Sequence, residues 1–139
     1  MHSDVILNKT AVIERCIRRI HEEYEGNPDN LKNYTKQDSI ILNIQRASEA
    51  CIDIAMHIIA EKSYGIPQSS RDAFDLLQTN GVINFDLCTK LKAMVGFRNI
   101  AVHDYQNINL QIVQRIIEYH LDDMREFASL VLKYCKNNG

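Results

Sequence analysis

Three reactive side chains lie within eight residues of one another in the stretch GFRNIAVHDY, residues 96–105. Arg98 is a permanent cation whose planar donors match phosphate oxygens. His103 carries an imidazole that titrates near neutral pH, and Tyr105 adds a phenol. An arginine and a histidine can cleave RNA without a metal, because the imidazole moves protons at the ribose 2′-hydroxyl and the leaving 5′-oxygen while the guanidinium holds the phosphate.

The helical spacing of these residues decides which of them can act together. Asn99 and His103 are four positions apart and share a face, so Asn99 could orient the phosphate or the imidazole. Arg98 and Tyr105 lie about 20° apart at ~100° per residue, whereas Arg98 and His103 lie about 140° apart. We therefore expect Arg98 and His103 to converge only if the helix ends near residues 102–104, or if a second subunit faces the site.

Two groups of cations lie on the predicted helices, and the group on the motif-bearing helix could guide RNA. Lys90 and Lys92 precede Arg98 on the same predicted helix. If they border the cleft we expect them to contact RNA, with binding that weakens as salt rises. A second group lies on the first predicted helix, where a solvated face is its more typical role: Arg15, Arg18 and Arg19.

Helices must position these residues, because the chain has few helix breakers and no convincing period-two alternation. Only 5 Gly and 2 Pro occur among 139 residues, and apolar residues recur at helical spacing. Short connections between the helices predict an all-α, up-down antiparallel bundle in a single domain, residues 1–139. About five helices are predicted: residues 3–25, Thr35 to before Gly65, Ser69 or Ser70 to Asn80, Asn84 or Asp86 to about Val102, and Asn107 or Asn109 to the terminal KNNG.

Two of the predicted helices are more apolar than a free protomer of this size would need. The second is apolar on two sides, and the fourth has apolar residues in near succession from Met94 to Val102. A homodimer that buries the excess surface explains both helices.

Composition and cysteine spacing exclude several classes of protein. The formal net charge is -2, so any nucleic-acid contact must use a local patch. The four cysteines contain no C-x-x-C pair and predict buried thiols in a reducing cytosol rather than a zinc ribbon or a disulfide framework. The N-terminal residues do not have the pattern of a signal peptide, and no apolar run approaches the ~20 residues that span a bilayer. We expect a cytoplasmic protein that does not enter a membrane.

A metal site is not predicted. The adjacent His103 and Asp104 could suggest an HD phosphohydrolase, but that chemistry needs further histidine and aspartate ligands. His57 and His120 lie on or beside apolar helix faces without a suitable arrangement of carboxylates. We therefore expect neither a metal nor a cofactor.

The residues RNIAVHDY match the pattern R-x4-H-x-Y, and MVGFRN leads into them. In this the chain resembles the HEPN superfamily, and particularly its HepT-like toxins. The resemblance covers most of the chain, because the all-α layout, the length and the position of the motif late in the fourth helix all agree. It implies a dimeric, metal-independent endoribonuclease that is the toxin of a toxin–antitoxin pair.

The resemblance also implies a partner and a role for each residue of the motif. The partner is a minimal nucleotidyltransferase antitoxin of the MntA type, which uses ATP and binds the toxin dimer, in a larger hetero-oligomer if several copies combine. Arg98 and His103 become the catalytic pair, Asn99 the accessory polar residue, and Tyr105 the position to which the partner adds AMP. A phosphodiester and a base on Tyr105 would oppose access of RNA by charge repulsion and by steric filling.

Two other functions remain open from the sequence. The same cleft could bind a nucleotide or RNA without cutting it, or the chain could be an adaptor whose helical surface stabilises a nucleotidyltransferase. RNA cleavage that persists in chelator and requires Arg98 and His103 would separate the nuclease from both alternatives.

Overall fold

The computed structural model describes the backbone of residues 2–138 and the side chains of residues 4–137, and this part of the chain contains helices and no strand. Two short 3₁₀ helices, Pro28–Lys32 and Tyr105–Asn107, lie in the segments that connect the α-helices. No helix in the described range is both long enough and apolar enough to cross a membrane. The all-α prediction is confirmed, with six α-helices: α1 (His2–Tyr24), α2 (Tyr34–Lys62), α3 (Ser70–Thr79), α4 (Phe85–His103), α5 (Leu110–Tyr119) and α6 (Leu121–Asn138).

Side-chain caps determine where four of the helices begin. In each case a side-chain oxygen accepts a backbone N–H of the first turn, which would otherwise lack a partner. In α2 this residue is Asn33, whose amide oxygen accepts the Lys36 N–H at 3.1 Å, so the predicted cap at Thr35 is two residues late. The caps of α2, α3, α4 and α5 are Asn33, Ser69, Asn84 and Asn109.

Helix α2 is the centre of the bundle. It packs against α1, α3, α4 and α6, and apolar residues on several of its sides are buried, including Ile40, Ile41 and Ile54. The apolar excess that the sequence assigned to a dimer is, for this helix, buried within one protomer. Leu42 is the exception, since 39% of it is exposed.

The predicted fifth helix is two helices, because the chain turns at His120 between α5 and α6 (φ −126°, ψ −2°). Its Nδ1 lies 2.9 Å from Asp123 Oδ2. Asp122 and Asp123 occupy the first turn of α6, where acidic side chains stabilise a helix start. The apolar period continues through Ile117 and Leu121 across the turn, so periodicity alone predicted a single helix.

The thiols lie where the sequence predicted them. Cys16, Cys51 and Cys88 are buried, Cys135 is half-buried, and none forms a disulfide within the described residues. Burial raises the pKa of the Cys51 thiol, and burial together with the neighbouring Asp75 raises the pKa of Cys88 to about 11. The thiols are therefore protonated and unreactive at neutral pH.

Candidate active site at the end of α4

The motif spans the last turns of α4 and the 3₁₀ helix that follows it. His103 is the final residue of α4, and Asp104 ends the helix with φ −150° and ψ 49°. The helix therefore ends within the window that the sequence analysis specified. Because His103 itself is still helical, it leaves α4 about 140° around the axis from Arg98. One protomer alone does not bring the guanidinium and the imidazole together.

A carboxylate on α2 holds Arg98. Its Nε and Nη2 each lie 3.0 Å from Glu49 Oε2, and its Nη1 donates to Asn99 Oδ1 at 3.1 Å. Gln45 also donates to Glu49 Oε2, at 3.4 Å. The guanidinium is partly exposed, and N–H donors on Nη1 and Nη2 remain available for a phosphate.

Tyr105 also contacts α2. Its hydroxyl donates to Asp38 Oδ1, and 39% of the residue is exposed. Burial and then the hydrogen bond and charge of Asp38 raise the pKa of Tyr105 above its usual range. The phenol is therefore protonated at neutral pH and held against α2.

Asp38 and Glu49 lie on one stripe of α2. Their spacing of eleven residues corresponds to about three turns, with about 20° between their directions. Arg98 and Tyr105 therefore face a common stripe, as their predicted separation of about 20° indicated, although α4 ends between them. Neither acid was predicted as a site residue. The signal that could have found them is a pair of carboxylates three turns apart on a predominantly apolar helix.

His103 is exposed and forms no hydrogen bond or ion pair with any described residue. No contact within the described part of the protomer therefore fixes the imidazole. Asn99 bonds to Arg98 and not to His103. The contact with the imidazole that their shared face allowed is therefore not formed in this protomer, and a contact of Asn99 with the phosphate stays a prediction.

Lys90 and Lys92 lie toward the beginning of α4 and are both paired. Lys90 Nζ is 3.1 Å from Asp86 Oδ2, and Lys92 Nζ is 2.9 Å from Asp75 Oδ1. Along the helix they precede Arg98 by about 12 Å and about 9 Å. Pairs as exposed as these are weak and can exchange for phosphate, so RNA contact by the two lysines stays a prediction.

One face of α4 is not covered by another helix. The residues on this face follow one another at intervals of four and then three positions, so they form a single stripe along the helix that ends at His103. Ile100, in this stripe, is 45% exposed. A shallow, mainly apolar hollow of about 270 Å³ between α4 and α5 lies beside it. The uncovered stripe consists of Thr89, Ala93, Ile100 and His103, while Gly96 on the same side lies against the Arg71 side chain of α3.

The two histidines weighed as metal ligands each have one carboxylate neighbour. His57 Nε2 lies 3.3 Å from Glu61 Oε2, and His120 pairs with Asp123. Within the described side chains, no group of three or more His, Cys, Asp and Glu residues is arranged as metal ligands.

Known proteins share this fold. Among solved structures, a toxin–antitoxin complex with AMP-PNP contains a chain that is 51% identical and superposes with a TM-score of 0.89, covering 94% of this chain and 98% of that one. The tri-AMPylated HEPN toxin of Shewanella oneidensis, in complex with MNT antitoxin, is 52% identical with a TM-score of 0.88 and the same coverage.

Sequence comparison gives the same result. The mRNA nuclease HepT of Shewanella oneidensis is 51% identical over 129 residues, which covers 93% of this chain and 97% of that protein. The sequence model of the HepT-like ribonucleases matches residues 13–131. These findings confirm the resemblance that the motif and the helical layout indicated, and the chain belongs to the HepT-like ribonuclease family.

Proposed function

We propose that Arg98 and His103 are the catalytic residues of a metal-independent endoribonuclease that acts as a toxin. The observation that carries the proposal is the different environment of the two side chains. Arg98 is fixed by Glu49 and Asn99 while it keeps donors for phosphate, and His103 is exposed with no partner among the described residues. A fixed cation and a free imidazole, brought together by a second copy of the chain, are the two groups that proton-transfer cleavage of RNA requires.

The reaction transfers protons at both ends of the scissile bond. The ribose 2′-oxygen attacks the adjacent phosphorus while an imidazole accepts the 2′-hydroxyl proton. The bond from phosphorus to the 5′-oxygen then breaks, and an imidazolium returns a proton to that oxygen, which leaves a cyclic phosphate and a 5′-hydroxyl. Arg98 stabilises the additional negative charge on the phosphate oxygens in the transition state.

A homodimer completes this site. Because Arg98 and His103 diverge by about 140° in one protomer, the imidazole that serves one guanidinium comes from a second copy of the chain. A two-fold axis at the C-terminal end of α4 brings both copies of Arg98 and His103 to one cleft, with the exposed Ile100 at the interface. Two imidazoles in one cleft can divide the roles of base and acid.

Neutralisation acts through Tyr105. The relative from Shewanella oneidensis is a tri-AMPylated toxin in complex with MNT antitoxin, and the partly exposed phenol of Tyr105 is the hydroxyl of this motif. A nucleotidyltransferase antitoxin transfers AMP from ATP to this phenol, two residues from His103. The added phosphodiesters repel RNA from the cleft. Since both the ATP and the RNA are cytoplasmic, we place the protein in the cytoplasm.

RNA cleavage by purified variants tests the catalytic assignment. His103→Ala, which removes a general acid–base group, and Arg98→Ala, which removes transition-state charge stabilisation, should each lower cleavage of mRNA by at least about 100-fold, and cleavage by the parent should persist in chelator. His21→Ala removes an exposed histidine of α1 and is the matched control. Circular dichroism and light scattering check that each variant is a folded dimer. If both variants cut RNA at the parental rate, Arg98 and His103 are not the catalytic residues.

A further inference from the structure

A cleft of about 670 Å³ lies between α1 and α2, outside the motif at the end of α4. Its volume is within the range of ligand-binding sites. Two of its lining residues, Glu22 and Asp38, are acidic. Four exposed arginines line it and define what we term the arginine cleft: Arg15, Arg18 and Arg19 from α1 and Arg46 from α2.

The charges of the arginine cleft are largely unpaired. Arg15, Arg18 and Arg46 form no ion pair or hydrogen bond with any described residue. Arg19 reaches Glu22 only at 3.8 Å. In a chain of net charge -2, such a concentration of free guanidinium groups is the local patch that a polyanion needs.

The sequence alone favoured a solvated face for the arginines of α1. The structure changes that interpretation because it places Arg46 of α2 across the cleft from them. Lys90 and Lys92, which the sequence favoured for RNA contact, are instead paired with carboxylates.

The arginine cleft adjoins the motif through α2. Asp38 lines the cleft and also accepts the hydroxyl of Tyr105. Leu42 lines both the cleft and a second hollow beside Tyr105. Arg46 lies about 4.5 Å along the axis of α2 from Glu49, the carboxylate that holds the catalytic guanidinium. A chain lying across Leu42 would therefore run from the arginines to the catalytic residues.

We infer that the arginine cleft binds the sugar–phosphate backbone of the substrate RNA and leads it to the site at the end of α4. This inference rests on the proposed nuclease function. Guanidinium groups pair with phosphate oxygens in bidentate geometry, and contacts to phosphates position a nucleic acid without reading its bases. The cleft therefore adds affinity for every RNA sequence alike. A nucleotide attached to Tyr105 would place its own phosphates at the mouth of the cleft and compete with RNA.

Salt-dependent RNA binding tests this inference. The affinity of a short single-stranded RNA is measured by fluorescence anisotropy in the His103→Ala background, which is designed not to cut it. Combining Arg15→Ala, Arg18→Ala and Arg46→Ala should lower the affinity at least tenfold. The slope of log affinity against log salt concentration should fall by about 2, since each phosphate contact on a single strand contributes ~0.7. The loss should be equal for RNAs of different sequence.

Two further variants separate local binding from net charge and from folding. Replacing Lys32, Lys133 and Lys136 by alanine removes the same total charge outside the cleft, and the affinity should change less than twofold. Replacing the three arginines by lysine retains the charge and should preserve the salt slope. Thermal unfolding confirms that each variant is folded.

The outcomes distinguish this inference from the function on which it rests. Parental RNA affinity in the triple alanine variant, or an equal loss in the lysine control, overturns the arginine cleft as the RNA site. If that happens while Arg98 and His103 are still required for cleavage, only the inference fails. If cleavage does not require those two residues, the catalytic assignment fails whatever the cleft binds.

Discussion

At Arg98, two guanidinium nitrogens bond to the same oxygen of Glu49, and a third bonds to Asn99. In the proposed mechanism, Glu49 therefore acts through Arg98 as a positioning residue. We expect Glu49→Ala to lower kcat for RNA cleavage about tenfold, equivalent to ~1.4 kcal/mol in the barrier, because the guanidinium loses its fixed orientation. KM should not rise, since removing a negative charge favours RNA binding.

Steady-state cleavage kinetics measure both constants. Gln45→Ala serves as the control, since Gln45 contributes only a hydrogen bond of 3.4 Å to the same carboxylate. A parental kcat in Glu49→Ala would show that Arg98 needs no support from α2.

Tyr105 supplies a second test at this scale, independent of the first. With the nucleotidyltransferase partner and ATP, the intact mass of the parent should increase in steps of one AMP unit, and Tyr105→Phe should abolish the increase. Tyr119→Phe is the control, because Tyr119 is even more exposed, at 73%. An unchanged mass of the parent would refute the modification without affecting the assignment of Arg98 and His103.

At the scale of the elements, Tyr24 joins the end of α1 to α5 by donating its hydroxyl to Glu118 Oε2 at 2.5 Å. Burial, followed by this hydrogen bond and charge, raises the pKa of Tyr24 above its ordinary value of 10.0. Because the folded protein holds the phenol protonated, this contribution to stability is complete below pH 10.0 and declines as the unfolded chain ionises above it. We expect the free energy of unfolding to fall more steeply above that pH in the parent than in Tyr24→Phe.

Urea unfolding across a series of pH values measures this difference. Tyr34→Phe is the control, because Tyr34 is 78% exposed. The same alkaline slope in the parent and in Tyr24→Phe would exclude the contact between α1 and α5 as its cause.

The sequence predicted the elements whose signals are local. Asn84 caps α4 and Asn109 caps α5, and each was one of the two residues predicted for that helix start. The motif lies at the end of α4, as expected. The break at His120 was missed because the apolar period continues through it, and only the paired Asp122 and Asp123 marked a new helix start.

What the sequence could not predict is the pairing of distant faces. Asp38 and Glu49 became part of the candidate site only when α2 was placed beside α4. The arginines of α1 became part of a candidate binding cleft only when the fold placed Arg46 opposite them. These relations depend on how helices pack and not on any neighbouring residues in the chain.

At the scale of the whole molecule, the uncovered stripe of α4 makes the dimer testable. Ile100 is 45% exposed in the single protomer, so Ile100→Glu should not disturb the fold of that protomer. At a two-fold interface the new carboxylate would face the same carboxylate of the partner, and the two negative charges would repel each other. We therefore expect a monomer by light scattering and a loss of RNA cleavage of at least about 100-fold.

Ile66→Glu is the matched control, since Ile66 lies in the loop before α3 and is 83% exposed. A dimer that survives Ile100→Glu with full activity would place the interface elsewhere on the molecule.

The stripe of α2 that holds Arg98 and Tyr105 has a mechanical consequence. Arg98, the proposed catalytic residue, and Tyr105, the proposed site of modification, both contact α2, at points about 17 Å apart along its axis. If the loop after α4 were longer or shorter, the hydroxyl of Tyr105 would still have to reach Asp38 on α2. One residue inserted into α2 between Leu42 and Gln45 would turn the two docking points about 100° out of alignment. In the proposed mechanism, the pitch of α2, more than the spacing within the motif itself, sets where an AMP on Tyr105 would lie relative to the bond that is cut.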